Sequence, residues 1–256
     1  MQAARSSSPT ALARALWLLP AALALCLAAP AAAQSVLALP AAITRLITQA
    51  TLVTTTKHHR PGDPLNVALV GSREEITAAM QAAGWQVPVP VSLRSGAKIV
   101  ASVAIRHTYF TAPVSALYYL GRKQDLAFEK EVGHSASRRH HVRFWKLRDD
   151  GPDGRALWLG AATFDRGVGL SHRTGVVTHH IDGNVDAERA FLMDELNRAL
   201  RLTALQLLPG HGPIRARNGG GDAYWSDGNV ELAIIAPGAA AQAQPAAAPA
   251  APAAQP

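Results

Sequence analysis

Between residues 65 and 84 the apolar positions change period. Leu65-Asn66-Val67-Ala68-Leu69-Val70-Gly71 is a short, nearly continuous apolar run, the pattern of a buried strand. Ser72 then stands where a helix N-cap belongs, and Glu75 three residues later completes a capping box. Ile76, Ala79, Met80 and Ala83 recur at helical spacing, and Gly84 ends the helix. Upstream, Ile43, Leu46 and Ile47 predict a short helix within 40–51, and Thr54 to Pro64 reads as a loop. Downstream, Leu93, Ala97, Val100 and Ala104 align on one face of an expected helix over 93–105.

The middle of the chain switches to period two. Ala116–Leu120 and Asp125–Lys130 read as strands around Gly121-Arg122-Lys123-Gln124. From Arg139 to Leu147, His140, Val142 and Phe144 alternate with His141, Arg143 and Trp145, so the two sets face opposite sides. The Asp, Gly and Pro residues of 147–156 turn the chain, and Leu157–Phe164 returns as an antiparallel partner. Trp145 and Trp158 then lie on paired strands as core aromatics. Gly167, Gly169 and Gly175 read as turn glycines. Val176–Ile181 is a strand, Asp182 or Asn184 caps a helix from Val185 to about Leu200, and Asn229–Ala236 is a last strand. Strands grouped between helices predict an α+β fold, a single domain with a largely antiparallel sheet flanked by helices.

The ends of the chain have another character. Arg5 and Arg14 precede an apolar run over 15–29 broken by Pro20, and Ala31 and Ala33 suit a signal peptidase. Residues 1–33 are therefore expected to be a cleaved signal peptide, which implies a periplasmic or secreted protein. The alternative is a retained anchor in the inner membrane. Leu25 argues against a lipobox at Cys26, the single cysteine, which would leave with the signal. Residues 237–256 are nearly all Pro, Ala and Gln and are expected to form a disordered tail. Between these ends, 34–63 is an N-terminal extension and 64–236 the folded domain.

Losing Arg5 and Arg14 takes the net charge from +7 to +5. That mild basicity favours anionic partners, and export makes nucleic acid a poor one. All ten histidines lie beyond residue 33. Several sit among arginines: His134, Arg138, Arg139, His140, His141 and Arg143, then Arg166, His172, Arg173, His179 and His180. His140, His141, Asp165, His172 and His180 are the candidate catalytic residues, because imidazole and carboxylate transfer protons. Ser171 beside His172, with Asp165, offers the residue types of a hydrolase triad, though no Gly-x-Ser-x-Gly elbow is present. Arg122, Arg139, Arg143, Arg166 and Arg173 are the candidate anion-binding residues, since guanidinium forks fit phosphate. No metal site is expected. Neighbours on a strand diverge, so neither His140 and His141 nor His179 and His180 can share an ion. No His-Glu-x-x-His helix, phosphate loop or dinucleotide fingerprint occurs, and no cofactor is expected.

Several segments match a known family in order. They are Pro64-Leu65-Asn66-Val67 with Gly84-Trp85, Ala112-Pro113-Val114-Ser115-Ala116-Leu117-Tyr118, and Gly121-Arg122-Lys123-Gln124-Asp125-Leu126-Ala127-Phe128-Glu129. Arg139-His140-His141-Val142-Arg143-Phe144-Trp145, Trp158-Leu159-Gly160-Ala161-Ala162-Thr163-Phe164-Asp165 and Thr178-His179-His180-Ile181-Asp182 follow. From about Pro64 to Ala236 the chain resembles the LssY-like C-terminal domain of bacterial envelope proteins. The resemblance implies a domain often joined to membrane proteins of the DedA and PAP2-phosphatase types, which act on lipids and lipid phosphates. It implies no catalytic residues. This chain is expected to lack the membrane-embedded half, so a fused partner's phosphatase activity does not carry over. The expected function is an exported envelope domain that binds an anionic lipid headgroup, a polyprenyl phosphate or a glycan phosphate, with peripheral membrane association. The alternative is a hydrolase or phosphatase with a His/Asp site, which requires the candidate side chains to converge.

Overall fold

The computed structural model describes residues 41–88, 116–133, 135–151, 153–175 and 177–238, all within one unit spanning Gln34–Pro256. The expected leader, the expected helix over 93–105 and the tail from 239 onward lie outside the described residues. The first elements are α1 (Ala41–Gln49), β1 (Val53–Thr56), β2 (Pro61–Pro64), β3 (Val67–Val70) and α2 (Arg73–Ala82). Then come β4 (Leu117–Tyr119), β5 (Arg122–Lys123), β6 (Leu126–Val132), β7 (Ser135–Arg148), β8 (Leu157–Leu170) and β9 (Val177–Ile181). The last are α3 (Val185–Arg198), β10 (Leu202–Leu208), β11 (Arg215–Arg217), β12 (Ala223–Trp225) and β13 (Val230–Ile235).

The capping box forms as the sequence predicts. Ser72 Oγ accepts the Glu75 N–H at 3.1 Å, and Glu75 Oε2 accepts the Ser72 N–H at 2.9 Å. Asn184 caps α3, its Oδ1 accepting the Ala187 N–H at 3.2 Å. The main sheet has seven strands in the order β10-β13-β3-β8-β7-β6, with β9 added on β8. Its pairings are antiparallel except β13 with β3. The fold is thus α+β with a largely antiparallel sheet. A second sheet orders β2-β1-β4-β5, and β11 and β12 form a hairpin.

Two apolar clusters cover the two faces of the main sheet. On one, Phe128, Val142, Phe144 and Trp158 pack against Ile76 and Met80 of α2 and Leu192 and Leu196 of α3. On the other, Trp145, Leu159 and Ala161 pack with Ile43 and Ile47 of α1 and Leu117 of β4. Trp145 and Trp158 are core aromatics on paired strands, on opposite faces. Residues 41–63, expected as an extension, supply α1, β1 and β2 to this fold. Among the described residues no helix is long and apolar enough to cross a membrane.

Three local expectations change. The expected loop 54–64 is a hairpin, β1 against β2, favoured by the β-branched run Val53-Thr54-Thr55-Thr56. The expected pair over 116–130 divides, because β4 and β5 join the small sheet while β6 pairs with β7. Strand β8 runs past Phe164 to Leu170, so Gly167 and Gly169 are strand residues.

β8 pairs with β7 along one edge. On its other edge β3 covers Leu157–Gly160 and β9 covers Asp165–Leu170. Asn66 fills the gap between them. Its Oδ1 accepts the Ala162 N–H at 2.9 Å, and its Nδ2 donates to Ala162 O at 3.1 Å and Val185 O at 2.9 Å. Asn66→Ala would strand three buried backbone groups, each costing about 1–3 kcal/mol. A loss of about 3 kcal/mol in urea unfolding is expected; a loss below about 1 kcal/mol would refute this role.

Candidate functional site

Alternation on β7 sends its paired histidines apart. His140 turns to the helical face, where Nδ1 lies 2.8 Å from Glu188 Oε2 of α3. Its ring stacks on Phe191 at 3.9 Å between centroids and tilts against Phe164. Glu188 is nearly inaccessible, and burial pushes its carboxyl above the usual range against the pull of His140. His140 is therefore locked into the packing of α3 on the sheet.

His141 turns to the opposite face, into a chamber of buried charges. Its Nε2 lies 2.9 Å from Asp165 Oδ2 without the alignment of a hydrogen bond. His179 Nδ1 approaches the same oxygen at 3.2 Å. Next to them Arg143 Nη1 meets Asp63 Oδ2 at 3.3 Å, and Asn218 Nδ2 reaches Asp63 Oδ1 at 3.4 Å. Burial raises the Asp63 carboxyl above its ordinary range, outweighing the attraction of Arg143. The buried Tyr224 phenol is pushed up to about 12 by burial and by the charge of Asp63.

A second group opens to the surface. His180 follows His179 on β9 and so points the other way. Its Nδ1 lies 2.6 Å from Asp222 Oδ1, and His172 Nε2 comes within 3.5 Å of the same oxygen. Asp222 is held from behind: Oδ2 accepts the Ile181 N–H at 3.2 Å, and its own N–H donates to Asn218 Oδ1 at 2.9 Å. His172, Ile181 and Asp222 line an open cleft of about 340 Å³ together with Arg166, Asp182, Arg217 and Trp225, and His180 stands behind Asp222. The Trp225 ring lies so close over Gly183 that a side chain there would overlap it.

The candidate catalytic set therefore does not converge. His140 lies on the helical face, His141 and Asp165 in the buried chamber, and His172 and His180 at the cleft. The Ser171–His172–Asp165 triad is not assembled. Ser171 Oγ donates to Gly220 O at 3.1 Å and accepts the N–H groups of Arg173 and Thr174. Asp165 faces His141 and His179, while His172 faces Asp222.

The arginines divide as well. Arg122 contacts Asp125 and donates to Lys146 O at 2.7 Å. Arg139 pairs with Glu129 at 3.1 Å, and Arg143 is buried against Asp63. Arg166 and Arg173 are exposed, and neither side chain forms a hydrogen bond or ion pair with the described residues. Arg166 lines the cleft with Arg217, which the sequence reasoning passed over. It also missed Asp222 and Asn218. The signal was Asn218-Gly219-Gly220-Gly221-Asp222, three glycines between two residues that cap turns.

Residues 44–230, more than half of the chain, match the family described as LssY C-terminus. The chain belongs to that family. The LssY C-terminus match begins within α1, earlier than the Pro64 expected from sequence, and spans the chamber and the cleft. No curated protein and no solved structure matches the chain.

The chamber carries a pH prediction. Asp63 binds its proton more tightly folded than unfolded, so its contribution is fully present below the unfolded carboxylate pKa near 4. It is lost as pH rises through the raised folded value. The stability of the wild type relative to Asp63→Asn should therefore fall between pH 4 and neutrality, as read by urea unfolding at several pH values. A difference that grows over that interval would contradict the assignment.

Proposed function

We propose that this LssY C-terminus protein is an exported cell-envelope domain that binds a phosphate-bearing anion in the cleft beside β9 and β12. The observation that carries the reading is the pair Arg166 and Arg217. Both are exposed on the cleft, and Arg166 has no acidic partner among the described residues. Three other arginines of the basic stretch fit less well. Arg122, Arg139 and Arg143 already face carboxylates, so an incoming phosphate would have to displace an ion pair. Arg166 keeps its guanidinium donors for a ligand, Arg217 keeps those left by its Nη1 bond to Gly221 O at 2.7 Å, and such forks match phosphate oxygens.

Export is supported by the leader pattern of residues 1–33 and by the resemblance to envelope domains joined to membrane proteins that handle lipid phosphates. The exposed Trp225 adds a flat apolar surface beside the arginines, suited to a sugar ring or the glycerol backbone of a lipid. The common chemistry is a phosphate monoester or diester on a small organic body. Hydrolysis of such an ester is the second reading. It draws on the imidazoles of His172 and His180 against Asp222 at the same cleft.

Calorimetry at low salt should detect binding of inorganic phosphate, a sugar phosphate, or vesicles containing an anionic phospholipid. Vesicles alone would indicate a lipid headgroup, and sugar phosphate alone a glycan. Arg166→Ala or Arg217→Ala should weaken binding at least about tenfold, the scale of one lost charge-assisted hydrogen bond. Arg122→Ala should leave it unchanged. Absence of binding to all three probes would end the anion reading. Turnover of a phosphate ester that disappears in Asp222→Asn would establish the second.

A further inference from the structure

We infer that His172, His180 and Asp222 form a binding site for a first-row divalent cation of the zinc type. Each residue offers one ligand atom, and these atoms lie within 4.8 Å of one another. Two imidazoles and a carboxylate suit zinc and its neighbours. The ligands come from three places: the turn after β8, strand β9, and the loop before β12. The rule that adjacent histidines cannot share an ion still holds, because His179 goes to Asp165 and only His180 reaches Asp222.

The distances suit a metal after a small adjustment. Ligand atoms at zinc bond lengths in a tetrahedron stand about 3.3 Å apart. His172 Nε2 is 3.5 Å from Asp222 Oδ1, and His180 Nδ1 is 2.6 Å from it. The His180 contact has to open by less than an ångström, and the two imidazole nitrogens, which stand within 4.8 Å of each other, have to settle to the same spacing.

The surroundings fix each ligand's orientation. The Ile181 N–H holds Asp222 Oδ2 and leaves Oδ1 for the ion. A Cβ on Gly169 would lie 2.6 Å from His180 Nε2, so glycine there makes room for the ring, with Nδ1 turned to Asp222. Gly221 has φ +95° and passes so close to His172 that a Cβ would lie 2.9 Å from His172 Cβ. Three protein ligands leave a fourth position for another ligand, and two of the three, His172 and Asp222, line the cleft with Arg166 and Arg217. An ion there would accept an exchangeable oxygen ligand. The inference does not depend on the anion reading, since the ion needs only the three side chains.

The test is a titration of the full chain with zinc at neutral pH against a chromophoric chelator, without phosphate. One ion per chain is expected. His172→Ala removes an exposed side chain and should leave the fold intact. It should weaken binding at least about 100-fold, the upper end of the loss for an outer-shell partner. Asp222→Asn, checked for an unchanged unfolding transition, should do the same. His58→Ala and His59→Ala should not alter affinity. Cobalt should give the intense visible bands of low coordination in the wild type and lose them in His172→Ala. No binding, or wild-type affinity in His172→Ala, would overturn the site, the latter assigning the ion to other histidines. Zinc binding retained in Arg166→Ala alongside lost phosphate binding would separate this site from the anion reading. Zinc binding by a wild type that takes up no anion would sink the anion reading alone.

Discussion

Strand β8 is 14 residues long, and β3 pairs with only its first four. A buried strand edge cannot leave its N–H and C=O groups unpaired, so the rest of that edge needs partners. Asn66 supplies one with its side-chain amide, and β9 supplies the remainder. Much of the site follows from this repair. Once β9 lies on β8, alternation sends His179 toward Asp165 and His180 toward Asp222. The Asn66 amide also reaches Val185 O, tying the first turn of α3 to the same edge. That helix brings Glu188 to His140.

The Arg- and His-rich stretch is mostly interior. Isolated buried charges are costly, so each buried ionisable group needs a partner close by. Asp63 takes Arg143, Asp165 takes His141 and His179, Glu188 takes His140, and Glu129 takes Arg139. What the sequence shows as one basic run is divided by the pleat into two faces and neutralised on both. The charge left exposed at the cleft lies on Arg166 of β8 and on the hairpin residue Arg217.

Elements with a local signal were legible in the sequence. The Ser72–Glu75 box, the Asn184 cap and the alternation of β7 rest on contacts a few residues apart. Pairings that depend on distant partners were not. Nothing near Leu117 tells β4 to join β1, 61–63 residues away, while β6 joins β7. The site behaved likewise. The divergence of His140 from His141 follows from the pleat alone. The His180–Asp222 contact spans 42 residues and depends on the glycine run that folds Asn218 back on its own loop.

Asn218 links the two polar centres. Its Nδ2 reaches Asp63 in the buried chamber, and its Oδ1 receives the N–H groups of Gly220 and Asp222 at the cleft. The orientation of Asp222 thus depends on Asn218, that of Asn218 on Asp63, and that of Asp63 on Arg143. Burying Asp63 is unfavourable in itself, as its raised carboxyl pKa shows. Yet an exposed carboxylate would be solvated and mobile and could not hold a loop in one place. The buried pair is therefore the support on which the cleft carboxylate stands. The charges most prominent in the sequence act mainly through geometry, and those facing the cleft are the few the sheet leaves outside.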